Sequence, residues 1–277
     1  MSRAISVCHG RFGRATLYCL NRPMTTHVHR EGHLIFHVRG EHGAVNVCSH
    51  RCVPRPEAGV AVNPWEPHDF VPGDHAEGSL FLVLYINPDW FLSLAREAPP
   101  ALRFGRSEIA VEGPVAQAVR KVTSVLLGSG EIQHLDGYLQ ELTGASFEAS
   151  WHRLGAARPI ILPAPGVSDF RVRKSIRLMD EHAGDSIELD RVAREAGLSR
   201  PHFYKLFRQH TGITPNLYLN TLLMERAIAS LTATSRSVTD IGFDLGFSSQ
   251  SCFTRFFASN VGMAPTDYRR AAQVLPS

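Results

Sequence analysis

Val192-Ala193-Arg194-Glu195-Ala196-Gly197-Leu198-Ser199, continued through Phe203, Phe207 and Gly212 to Pro215, decides how this chain folds, because it occurs twice. The run from Ile241 to Ser248, followed by Phe253, Phe257 and Gly262 to Pro265, repeats it. Phe203-Tyr204-Lys205-Leu206-Phe207 matches Phe253-Thr254-Arg255-Phe256-Phe257, and Tyr218 matches Tyr268. The offset is 49 positions from Gly197 to Gly246 and 50 from Phe203 to Phe253, so the second copy carries one extra residue. Each copy reads as a short helix closed by Gly, a Ser-started second helix and a Gly-x-x-Pro stop. That is the sequence form of a helix-turn-helix. Two copies in one polypeptide imply a reader of two successive major grooves.

In the first copy, Leu189–Ala196 is the support helix and Arg171–His182 a further helix behind it. Gly197 permits the positive φ of a tight turn, and Leu198 plugs the core. Ser199 is a good N-cap, Pro201 is tolerated in the first turn, and Phe203, Leu206 and Phe207 form the buried stripe. The opposite face offers Arg200, His202, Tyr204, Lys205 and Arg208 to DNA. A helix from Thr214-Pro215 to about Leu231 spans roughly 25 Å, a rod able to hold two reading heads about one DNA turn apart, the ~34 Å between adjacent major grooves. In the second copy, Ser237-Val238-Thr239-Asp240 has capping-box spacing and Ser248 is the expected cap of the reading helix. Phe253, Phe256 and Phe257 are its core. Ser249, Gln250, Ser251, Thr254 and Arg255 face outward. Gln pairs bidentately with adenine, Arg with guanine, and Thr touches the thymine methyl.

Outward from the repeat, 277 residues suggest two domains, and 44% hydrophobic with 20% charged residues is an ordinary globular composition. No apolar run reaches the length of a membrane span and no signal-peptide core follows Met1, so a cytoplasmic protein without a membrane partner is expected. Cys8, Cys19, Cys48, Cys52 and Cys252 are irregularly spaced, as reduced thiols are. Residues 1–168 carry 15 Lys/Arg and 15 Asp/Glu, whereas residues 169–277 carry 14 and 11, so the whole net charge of +3 lies in the repeat half. A surplus that small is compatible with nucleic acid but does not argue for it.

The first half has a different period. Ala15–Leu20, His33–Val38, Ala44–Val47, Gly59–Val62 and Leu80–Ile86 read as short strands separated by Gly and Pro, the pattern of a small antiparallel barrel or jelly roll. Pro114–Leu127 and Glu131–Leu154 then show helical spacing. Val115, Ala118, Val122 and Val125 make one apolar stripe; Leu135, Leu139, Leu142 and Phe147 make another. Either is core or a dimer seam. Three prolines between Ala156 and Ser168 mark a semi-stiff linker.

A stretch of about 100 residues that holds Val192 to Tyr268 resembles the AraC/XylS family of bacterial transcription regulators through many fixed spacings. Gly242, where the family more often has Ala, and Cys252, where His is frequent, depart from it. The resemblance implies an α+β protein of two domains. Residues 1–155 would be a cupin-like antiparallel β-barrel with accessory helices (barrel about 1–100, helices about 105–155) that binds an effector and dimerises. Residues 156–168 would be the linker. Residues 169–277 would be an all-α, homeodomain-like double helix-turn-helix module. The implied partners are double-stranded promoter DNA, RNA polymerase, a small-molecule effector and a second copy of the chain, joined through the second accessory helix. No enzymatic activity and no resident cofactor are expected. The resemblance goes with an activator, although one sequence does not separate activator from repressor.

Within the implied barrel, His27-x-His29 points two imidazoles to one side of a strand, and cupin enzymes build metal sites from such a pair with a later carboxylate and His. His33 stands near the carboxylate's place and His68 near the later one. Regulators of this family are usually metal-free, so His27, His29, Glu31, His33, Trp65 and His68 are expected to line an effector pocket, with Trp65, Phe36 and Tyr85 as its apolar wall. The set His27, His29, His33 and His68 would serve a metal-dependent cupin enzyme fused to a DNA-binding tail, the alternative from another class. A ligand-independent structural DNA binder is the third reading; Gln250, Thr254 and Arg255 speak against it. Cys48-Ser49-His50-Arg51-Cys52 lacks the second ligand pair of a zinc site and reads as chance placement on a hairpin.

Overall fold

The computed structural model describes residues 2–74, 78–94, 101–151, 167–183 and 187–275. The chain divides into two compact units, one of Met1–Ile161 with Val261–Ser277 and one of Leu162–Asn260. Most of the linker expected at 156–168 lies outside the described residues.

The first unit contains β1 (Arg3–Gly10), β2 (Gly13–Leu20), β3 (Met24–His27), β4 (Gly32–Arg39), β5 (Ala44–Val47), β6 (His50–Cys52), β7 (Ala58–Val62), β8 (His68–Val71) and β9 (Ser79–Ile86). After them come α1 (Pro88–Leu94), β10 (Glu108–Ala110), α2 (Gly113–Leu126), a 3-10 turn (Ile132–His134) and α3 (Leu135–Trp151). The strands form a seven-stranded sheet in the order β10-β7-β4-β9-β2-β1-β11 and a four-stranded sheet in the order β3-β8-β5-β6. The last strand of the larger sheet, β11 (Ala272–Val274), runs parallel to β1; every other pairing is antiparallel. Among the described residues the two sheets stay separate, so the expected closed barrel takes the form of two facing sheets. The Phe70–Phe81 ring contact at 5.5 Å joins them.

Alternation along the strands decides which side chain meets which layer. Ala15 and Leu17 of β2, Leu34 and Phe36 of β4, and Leu80, Leu82, Leu84 and Ile86 of β9 form one core with α2 and α3. The intervening residues Arg14, Thr16, Tyr18, His33, Ile35, Phe81, Val83 and Tyr85 are buried as well, on the face turned to the smaller sheet. A strand buried on both faces loses the polar-out alternation, which is why β9 reads as a continuous apolar run. The two expected helix stripes are spent in this core: Val115, Ala118, Val122 and Val125 are buried, and so are Leu135, Leu139, Leu142 and Phe147. These faces are therefore core, and neither offers itself as a dimer seam.

The second unit contains α4 (Phe170–His182), α5 (Leu189–Glu195), α6 (Arg200–Thr211), α7 (Pro215–Ala233), α8 (Val238–Asp244) and α9 (Gln250–Val261). Asp169 starts α4 by accepting from the Arg171 N–H, and Thr214 starts α7 by accepting from the Leu217 N–H. Val172, Met179, Val192, Ala193, Phe203, Phe207, Ile241, Phe253 and Phe257 are almost fully buried. α10 (Pro265–Ala271) and β11 belong to the first unit. No helix among the described residues is long and apolar enough to cross a membrane.

Candidate nucleic-acid interface and a histidine cluster

The repeat is written into the backbone. Gly197 and Gly246 have φ of 72° and 82° at matching turns, and Gly212 and Gly262 have 80° and 81° at matching stops. An L-residue with a Cβ rarely adopts that conformation, so these four glycines are structural requirements. Gly242 has a second reason to be small: a Cβ there would lie 3.0 Å from Cβ of Phe253, so α8 and α9 approach closely.

Of the first reading face, Arg200, His202, Lys205 and Arg208 are exposed and Tyr204 is half-buried. Arg200 pairs with Asp190 at 2.9 Å, and the Tyr204 hydroxyl donates to Asn216 at 2.9 Å. On the second face Gln250, Ser251 and Arg255 are exposed, with Ser249 and Thr254 half-buried. Thr239 donates to Oε1 of Gln250 at 2.9 Å. Asp190·Arg200 and Thr239·Gln250 are thus the same cross-helix tie made by matching positions of the two copies. Sequence reasoning found the exposed residues but not these ties.

The caps of both reading helices differ from expectation. Ser199 sits at the N-cap of α6 without making a side-chain cap bond. The expected cap Ser248 is displaced by Ser249, whose hydroxyl accepts from the Cys252 N–H at 3.2 Å, while Ser248 donates to the Cys252 sulfur. The second copy's extra residue falls between Gly246 and Phe253 and makes room for that shift. Ser237 caps α8 as read, accepting from the Asp240 N–H. Leu206 and Phe256, expected in the cores, are only half-buried; Phe256 covers itself against Phe247 at 4.9 Å.

In the first unit the histidines come together. His27 and His68 face each other across the β3–β8 ladder, with ring centroids 4.4 Å apart. His29 lies beyond the end of β3, yet its ring is 4.8 Å from His27 and 5.1 Å from His68. One ligand nitrogen from each of these three falls within 4.8 Å of the others. His33 sits beside them: its Nδ1 is 3.2 Å from Nε2 of His68, and its ring stacks on Tyr85 at 4.4 Å. Nδ1 of His27 lies 2.7 Å from the Thr25 carbonyl and Nδ1 of His68 lies 2.9 Å from the Glu66 carbonyl. A carbonyl only accepts, so both Nδ1 atoms carry the proton and both Nε2 atoms present lone pairs. Burial drives all four imidazoles toward the neutral form: His68 is pushed down to about 3, His27 is lowered, and His29 and His33 fall well below the usual range.

Trp65 and Glu31 are both half-buried and do not line the cavity beside the cluster. Trp65 has φ of 63°, an uncommon conformation for a bulky residue, fixed by its N–H donating to the His29 carbonyl at 2.7 Å. Glu31 is half-buried and acts electrostatically on Arg14. Phe36, expected in the pocket wall, points instead into the core beneath α2 and α3. The cavity beside His27, His33 and His68, walled by Tyr18, Phe81 and Tyr85, holds about 20 Å³. That is space for one water, against the several hundred Å³ of an ordinary organic-ligand pocket. Cys48 is exposed and Cys52 buried on the β5–β6 hairpin, and burial raises both thiols, which makes neither a reactive sensor.

A row of polar residues escaped sequence reasoning. His9 of β1, Arg14 of β2, Tyr85 of β9 and His33 of β4 are successive cross-strand partners. Arg14 lies over the Tyr85 ring at 3.6 Å and donates to the Tyr268 hydroxyl at 3.3 Å; that hydroxyl is 3.0 Å from Nε2 of His9. Only strand register reveals such a row.

The fold agrees with what is known of other proteins. Residues 192–271 match a helix-turn-helix domain family. The transcriptional activator RhaS of Escherichia coli is 32% identical over 103 residues, 37% of each chain. The chain thus spans little more than a third of that relative's length. The regulatory protein SoxS of Salmonella typhimurium is 33% identical over 98 residues, which are 35% of this chain and 92% of SoxS. Among solved structures, ToxT of Vibrio cholerae superposes with a TM-score of 0.57 over 98% of this chain and 97% of its own, at 14% identity. A further ToxT structure is bound to an unsaturated fatty acid. That likeness shows the shared fold of β-rich and helical parts. SoxS is matched over nearly its whole length at 33% identity: the chain belongs to the AraC/XylS family of transcription regulators.

Proposed function

We propose that the protein reads promoter DNA through α6 and α9, and that residues 1–155, a cupin-like effector-binding domain, control that reading. The observation that carries the proposal is the twofold occurrence of one helix pair with outward His202, Lys205 and Arg208 on one copy and Ser251 and Arg255 on the other. Phosphate contacts give affinity, and these side chains supply the base readout. Residues 169–277 are the DNA-binding domain in this reading and 1–155 the effector domain, with DNA, RNA polymerase and a second copy as partners in the cytoplasm. The name of the relative RhaS supports activation of transcription. His27, His29, Glu31, His33, Trp65 and His68 line the effector site. A fatty acid, which one ToxT structure holds, does not fit the 20 Å³ cavity unless side chains move. The same space speaks against an organic substrate, and so against the cupin-enzyme alternative.

Selection of bound sequences from a random DNA pool at near-physiological salt tests the reading. The expected result is a motif of two short blocks about ten base pairs apart. Binding that is equal on all sequences and steeply salt-dependent overturns it.

A further inference from the structure

We infer that His27, His29 and His68 form a binding site for a divalent transition-metal ion of the zinc, cobalt or nickel kind. These are residues that the regulator reading assigns to its effector site, but the metal site rests on their geometry and not on DNA binding.

The donor set carries the argument. Three imidazoles offer nitrogens within 4.8 Å of one another, and such ligands suit these metals. Ions of this kind sit about 2.0–2.1 Å from each nitrogen, so three donors on one ion lie roughly 3–4 Å apart. The side chains thus need to close by an ångström or so, with no backbone rearrangement. Two of the rings are already oriented from behind: the Thr25 and Glu66 carbonyls fix the Nδ1–H tautomer of His27 and His68, leaving both Nε2 atoms unprotonated. Metal-ligating histidines are supported by backbone carbonyls in this way. Nε2 of His29 is buried and finds no hydrogen-bond partner among the described residues. A buried polar atom left unpaired is costly, and a metal ion would satisfy it. The adjacent 20 Å³ space admits one water or one ion.

Two features oppose binding, and neither decides against it. Nδ1 of His33 donates to Nε2 of His68, and a metal would exchange that hydrogen bond for coordination. Arg14 is a nearby positive charge. It lies two strands from His33, across Tyr85, and Glu31 partly offsets it.

The test uses the full-length protein, stripped with chelator and titrated with Co(II), with zinc uptake after dialysis measured by elemental analysis. One equivalent of either metal per chain is expected, with the d–d absorption of nitrogen-ligated Co(II). The Nδ1–H protons of His27 and His68 should appear as slowly exchanging, paramagnetically shifted resonances, since carbonyls hold them. His27→Ala and His68→Gln should each weaken uptake at least tenfold. His42→Ala should leave it unchanged, removing the pair that exposed His42 makes with half-buried His37 at 4.5 Å. Should either cluster variant fail to fold, seen by circular dichroism, the wild-type resonances still decide. Absence of stoichiometric uptake, or uptake lost with His42 rather than with His27 and His68, overturns the inference. Selection of DNA motifs by the same stripped protein is scored separately, so failure of one reading is not mistaken for failure of the other.

Discussion

Lys205 and Arg255 occupy matching positions of the two reading helices, both exposed. Lys205→Ala and Arg255→Ala should each reduce binding to the selected operator by tenfold or more, since a good base contact is worth about 1–3 kcal/mol. Binding to random DNA should fall much less. Equal losses on both DNAs, measured by fluorescence anisotropy, would assign these side chains to phosphate instead. Arg200→Ala should cost less than either, because Arg200 already pairs with Asp190. At this scale the sequence reveals faces and conceals partners. The outward residues follow from helical period, whereas the ties Asp190·Arg200 and Thr239·Gln250 depend on where α5 and α8 cross the reading helices. The histidines teach the same lesson differently. His27 and His29 meet as their spacing suggests, yet not by strand alternation: β3 ends at His27, and the loop returns His29 to the cluster.

Among the elements, β2, β4, β5, β7 and β9 and the helices α2 to α9 were legible because hydrophobic period and glycine punctuation agree there. β11 was not: three residues carry no period, and their place beside β1 is a long-range pairing. That pairing and Tyr268 fix the chain's last segment to the first sheet. The Tyr268 hydroxyl accepts from Arg14 and so donates to His9, which must stay neutral to receive it. Burial, with the Arg14 charge second, pushes His9 down to about 4 from 6.5. A group depressed in the folded state takes up its proton more readily when unfolded. Its stabilising contribution is therefore complete above about pH 6.5 and is lost as pH falls through 4. Backbone amides of Tyr268–Val274 should exchange faster at pH 5 than at pH 7.5 after correction for intrinsic rates. His9→Gln should flatten that dependence. An unchanged pH profile in the variant would place the titrating group elsewhere.

For the whole molecule, sequence divides the chain at the proline-rich stretch, while the compact units divide it so that Val261–Ser277 joins the first. Nothing local marks that return; it is a property of register and packing. What sequence does fix is the distance between reading helices, through α7. Its 19 residues make a continuous rod of about 28 Å. A rigid rod commits both heads to one spacing on DNA. Inserting five base pairs between the two operator blocks turns the second block to the far side of the duplex. Inserting ten restores its face but moves it a further ~34 Å, beyond the reach of α7. Both insertions should therefore reduce affinity about a hundredfold, to the level of one head, on the scale of two lost base contacts at 1–3 kcal/mol each. A flexible tether would recover affinity at ten base pairs, so anisotropy titrations with the three operators separate the two arrangements. Recovery at ten would mean that α7 bends or breaks on DNA; equal loss at five and ten would mean that the helix sets the operator spacing.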